Sequence, residues 1–171
     1  MALTDNVFQL AQSIPDKRTS TAVVRILDRI WPKVRKVNIT AALTLNENVH
    51  EGKILTVNSA AGIAIVLPAS TGQGARYRLF IGTTITSVGT TIKVANASDT
   101  MGGQALQTGA TGAVTAFLAS STSDTITLDG STTGGIKGDY IELEDVSLNL
   151  WRVTIIGSIT GSAATPFSAT V

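Results

Sequence analysis

Apolar residues recur with helical spacing early in the chain and with a spacing of two after it. Val23, Ile26, Leu27, Ile30 and Trp31 fall at i, i+3, i+4, i+7 and i+8, on one face of a helix, with Arg25, Asp28 and Arg29 elsewhere around it. Ser20 or Thr21 supplies an N-cap, and Pro32 ends the pattern. About three turns are marginal alone in water, so this apolar face needs a partner surface, on the rest of the chain or on a neighbouring subunit. From Val37 the period changes: Val37, Ile39, Ala41, Leu43 and Leu45 alternate with Asn38, Thr40, Ala42 and Thr44, which predicts a strand.

Beyond it, short alternating or apolar runs are punctuated by Gly, Ser, Asn and Asp. They predict strands at Lys53–Asn58, Ile63–Leu67, Arg76–Ile81, Thr91–Ala95, Ala113–Ala119, Thr125–Asp129, Tyr140–Glu144 and Leu150–Ile156, with turns between them, Asp99–Gly103 included. The spacing suits a sandwich or barrel. The fold expected is therefore all-β: a β-sandwich or jelly-roll-like body over residues 37–171, preceded by an N-terminal arm over residues 1–36 that contains a short helix.

Charge sharpens that boundary. Residues 1–40 hold seven basic and three acidic side chains, net +4, and no glycine; residues 41–171 hold six basic and nine acidic ones, net −3. Charged residues are only 15% of the 171, whereas Thr, Ser and Gly number 25, 14 and 16, so small uncharged groups make much of the surface. Edge strands rich in Thr and poor in charge are weakly guarded against pairing with another chain, which favours an oligomer. With no Cys there is no disulfide framework, thiol nucleophile or Cys-ligated metal. No apolar run reaches membrane-spanning length, and no basic-then-apolar leader opens the chain, so neither a membrane span nor a cleaved secretion signal is expected.

Candidate chemistry is sparse. His50, the single histidine, sits in Asn48-Val49-His50-Glu51-Gly52 and reads as an exposed turn residue, with no nucleophile and only Glu51 as a near acid. Gly72-Gln73-Gly74-Ala75-Arg76 resembles the start of a dinucleotide loop but precedes a strand, not the helix whose N-terminus would hold a pyrophosphate, so a β-turn is expected. In Asp139, Glu142, Glu144 and Asp145 the two glutamates share a strand face, which suits a solvated surface better than a cation site or a glycosidase pair. Arg76 and Arg78 share one strand face, with Tyr77 and Phe80 expected on the other, and a cross-strand ion pair or subunit contact explains them more simply than a nucleic-acid groove on a net-acidic body. No catalytic group, cofactor or metal is expected.

The arm interleaves cations with apolar residues, a mixture that suits docking onto protein, where Trp and Arg supply much of the binding energy. Its candidate contacts are Val23, Arg25, Ile26, Arg29, Trp31, Lys33, Arg35 and Lys36.

Asn48-Val49-His50-Glu51-Gly52-Lys53-Ile54-Leu55-Thr56-Val57-Asn58, then Ile63 to Ala69 and Gly74 to Phe80, resembles a module of small virion proteins of tailed bacteriophages. Gly138 to Asp145, Trp151-Arg152-Val153 and Ala164 to Ser168 complete the likeness, which is to capsid decoration (cement) and head-fibre proteins. The resemblance implies a homotrimeric sandwich made in the host cytoplasm and seated on the outer capsid surface. Its partners would be the major capsid protein and itself, with no nucleic acid, membrane or enzymatic role. A carbohydrate- or receptor-binding module of a head fibre or tail is the alternative it leaves open.

Overall fold

A computed structural model describes residues 36–171. Seven of the eight arm candidates (Val23, Arg25, Ile26, Arg29, Trp31, Lys33 and Arg35) and the expected helix lie outside the described residues; Lys36 lies inside them and is exposed. The body is an all-β sandwich of two mixed sheets.

The first half winds as a short coil that places alternate strands in opposite sheets. β1 (Lys36–Ile39), β3 (Ile54–Val57) and β5 (Arg76–Ile81) stack in parallel in the large sheet. β2 (Leu43–Thr44), β4 (Ala64–Val66) and β6 (Thr90–Lys93) stack in parallel in the small one. A one-turn helix, α1 (Glu47–His50), links β2 to β3. Parallel register lines up like side chains: Ile39, Val57 and Ile81 form one buried ladder, and partly buried Leu43 with buried Ile65 and Ile92 form another on the facing sheet. Each rung thus buries its aliphatic face against the rung opposite, removing apolar surface from water.

The expected single strand Val37–Leu45 is two strands in two sheets. The chain turns a corner at Ala41 and Ala42, both exposed, and the alternation survives because Ile39 and Leu45 point to the same core from opposite walls. At the equivalent corner after β5 the Asn58 and Thr56 side chains pack over the bare backbone of Gly82, where a Cβ would lie 2.0 Å from the Asn58 Oδ1.

The second half closes the sandwich. β10 (Tyr140–Ser147) and β11 (Leu150–Ser158) form a hairpin whose first strand runs antiparallel to β5. β7 (Thr100–Thr108) runs parallel to β11 over nine residue pairs and turns back as β8 (Val114–Leu118). β9 (Thr125–Leu128) and β12 (Phe167–Ser168) extend the small sheet. The orders are β1-β3-β5-β10-β11-β7-β8 and β12-β9-β6-β4-β2.

β7 falls partly where a turn is expected, at Asp99–Gly103. Gly102 and Gly103 mark close approach between strands, not chain reversal: a Cβ on Gly103 would lie 1.9 Å from the Val153 carbonyl oxygen. Tyr77 and Trp151, both fully buried, pack 5.8 Å apart at the middle of the large sheet's inner face.

Candidate functional site

Five aspartates of the body tie loops together, each accepting at least one backbone N–H. The largest such clasp fastens the glycine loop before β5. The Asp145 carboxylate, at the end of β10 and 1% exposed, accepts from the N–H groups of Thr71 (3.0 Å), Gly72 (2.8 Å) and Gln73 (3.2 Å) and from the hydroxyls of Ser70 (2.7 Å) and Thr71 (3.0 Å). Gly72 and Gly74 take positive φ, +77° and +81°, which turns the intervening amides inward. The loop whose glycines resemble the start of a dinucleotide loop turns its amides onto the protein's own carboxylate. Burial would push the Asp145 carboxyl up, but the bonds from Ser70, Thr71 and Gly72 outweigh it and hold the group below the usual carboxylate range.

The same device recurs. Asp129 accepts from the N–H groups of Ser131, Thr132 and Thr133, and these bonds overcome burial to keep it strongly acidic. Asp124 holds the C-terminal Thr170 and Val171 amides and is lowered for the same reason, burial again opposing. Asp139 accepts from Gly135, Ile136 and Ser158, yet burial dominates and raises it. Asp99 Oδ2 accepts from the Ser70 N–H (3.0 Å) and the Asn96 amide (2.9 Å). Asp124, Asp129, Asp139 and Asp145 accept on both oxygens, so they work as loop fasteners and have little capacity left for general-base or ligand chemistry, whereas the Oδ1 of Asp99 is buried without a partner. Among the described residues no group of three or more His, Asp or Glu is placed to hold a metal ion.

Of the acidic strand 139–145, Glu142 and Glu144 project from the outer face, whereas Asp139 and Asp145 are buried. The solvated-face reading therefore fits the glutamates alone. The cross-strand ion pair expected of Arg76 is present: its guanidinium lies 2.5 Å from Glu144 and 3.8 Å from Glu142, and Arg152 lies 3.9 Å from Glu144. Arg76 and Glu144 are opposite one another in the β5–β10 register.

His50 corrects its expectation. It is the last residue of α1, not a turn residue, and it is buried, 7% exposed, because the helix tucks it beneath its own N-cap, where Nδ1 accepts from the Asn46 N–H at 2.9 Å. Burial lowers its pKa, which keeps the ring neutral.

The outer face of the large sheet offers a surface to a partner. One lateral row of it is apolar: Phe80, Tyr140, Ile156, Leu106 and Ala116 lie side by side across five strands. Phe80 shares this face with Arg76 and Arg78 instead of lying opposite them as expected, because residues two apart on a strand point the same way; Phe80 and Tyr140 pack at 5.0 Å and are half-buried, and Ile156 is 54% exposed. The sequence signal for this row is the apolar residue on the polar phase of each strand. No helix among the described residues is long and apolar enough to cross a membrane. Comparison with protein-family models, curated proteins and solved structures finds no match for this chain.

Proposed function

We propose that this chain is a structural virion protein that binds the outside of a tailed-phage capsid and stabilises adjacent major capsid subunits. The observation that carries the reading is the use of the body's nine acidic groups: five fasten loops, two pair with surface arginines, one opens α1 and one caps its end. Such a body is braced throughout, as suits a part that works by sitting on another surface. Four of the six segments that carry the likeness to decoration proteins support the reading, because they fall in β3, β5, β10 and β11, adjoining strands of the large sheet; the other two fall in β4 and β12 of the small sheet.

The grip is assigned to the cationic leader, from Val23 to Lys36, and to the outer face of the large sheet. Preferential binding to the expanded shell would stabilise that state by mass action, and many symmetric copies would make weak single contacts sufficient. The test is electron cryomicroscopy of phage heads incubated with the full chain. Regular density on the outer face is expected, lost when Arg25, Arg29, Arg35 and Lys36 are changed together to Glu. Absence from heads, or density confined to the tail, overturns the reading.

A second reading, a carbohydrate-binding module of a fibre or tail, draws on Phe80 and Tyr140, whose rings flank Arg78 and Glu142 on the same face. Specific signals on a glycan array that vanish with Tyr140→Ala would favour it.

A further inference from the structure

The edge of the large sheet at β8 is a five-residue strand guarded by neither charge nor proline. From Thr100 to Ser123 no residue carries a charge, and the stretch has no proline. Exposed edges are ordinarily blunted by charge, proline or a bulge, because their free amides invite another strand. Every residue of β8 but Phe117 is exposed, Val114 at 61% and Leu118 at 77%.

Register shows which backbone groups are free. Gly109 N–H donates to Ala113 O (2.8 Å) and Ala119 N–H donates to Gly103 O (3.0 Å), and the intervening pairs run from Gln104 opposite Leu118 to Thr108 opposite Val114. In an antiparallel pair, bonded and non-bonded positions alternate. The N–H and C=O groups of Thr115 and Phe117 therefore face β7, and those of Val114, Ala116 and Leu118 face outward.

We propose that β8 pairs antiparallel with β8 of a second copy across a two-fold axis at Ala116. In that register the three outward-facing residues all meet outward-facing partners: Ala116 opposes its own copy and Val114 opposes Leu118, giving about six new backbone hydrogen bonds. The small central residue lets the strands meet, and the two larger side chains cover one another on the outer face. A strand without charge meets its copy with no like-charge repulsion, and offers nothing to attract a charged partner. The apolar row across Tyr140, Ile156, Leu106 and Ala116 then continues unbroken into the second copy, and two seven-stranded sheets become one. This pairing is independent of shell binding, and it differs from the threefold arrangement implied by the likeness to decoration proteins.

The test is made on the purified full chain, without shells. Sedimentation velocity is expected to give a species of twice the 17.7 kDa chain mass, and Leu118→Lys is expected to weaken the association at least tenfold while circular dichroism stays unchanged. Because the chain has no cysteine, Ala116→Cys introduces its only thiol, and a short bis-maleimide linker is expected to join two copies there but not in a Val88→Cys control. A monomer at all concentrations, a trimer that does not link through position 116, or a dimer indifferent to Leu118→Lys would overturn the proposal. So would a monomer whose shell binding alone is lost in Leu118→Lys, since the edge would then serve the capsid.

Discussion

Asp145 and Gln107 are both polar side chains shut inside the body, in opposite conditions. Asp145 meets five donors. Gln107 is fully buried on the inner side of β7, and neither its amide oxygen nor its nitrogen has a hydrogen-bond partner. Leaving a buried amide unpaired costs about 1–3 kcal/mol, whereas an apolar group of similar shape costs nothing of that kind. Gln107→Met keeps the length of the side chain and removes the unpaired dipole. It should raise stability by about 1 kcal/mol, read as a higher urea midpoint at unchanged m-value. A lower midpoint would mean that the amide is satisfied in solution.

At the scale of elements, β7 carries the interior of the large sheet, and Gly103 is the residue that admits it. Gly103→Ala forces a Cβ into the Val153 carbonyl, a contact with backbone that neither strand can relieve without separating. A loss of about 3 kcal/mol or more is expected, against about 1 kcal/mol for Gly112→Ala, where only positive φ is at issue and the surrounding space is open. Equal midpoints for the two variants would sink this account of β7. The same glycines explain why the sequence reads as a turn there. Glycine marks chain reversal and close approach alike, and local pattern cannot separate them. Elsewhere the alternation was legible wherever a strand has one wet face: Arg76–Ile81 falls where the pattern puts it. The division of residues 37–45 between two sheets was hidden because a corner of small residues preserves the period. The clasps were hidden for another reason. Asp145 and the Thr71–Gln73 amides are more than seventy residues apart, and only the β5–β10 pairing brings them together.

Across the whole molecule, the clasps make stability a matter of keeping aspartates ionised. Asp124, Asp129 and Asp145 have folded pKa values below the usual 3.8. The unfolded chain therefore takes up their protons first, and their stabilisation, complete above about pH 3.8, drains away as pH falls through the lower folded values. His50 adds an earlier loss: burial lowers it from 6.5, so the unfolded chain gains a proton there that the fold resists, and stability begins to slip below that pH. Asp139 works the other way. Its raised folded value means that acid first favours the fold, between that value and 3.8, which flattens the curve before the steep limb. Urea midpoints from pH 8 to pH 2 should thus show a plateau, a shallow decline from about pH 6.5, and a sharp fall below pH 3.8. Asp145→Asn should lower the plateau, because an amide cannot accept the donors that converge on that carboxylate, and should make the acid limb shallower, because one depressed group no longer titrates. An acid limb of unchanged slope in that variant would show that the Asp145 clasp does not carry its share of the acid sensitivity.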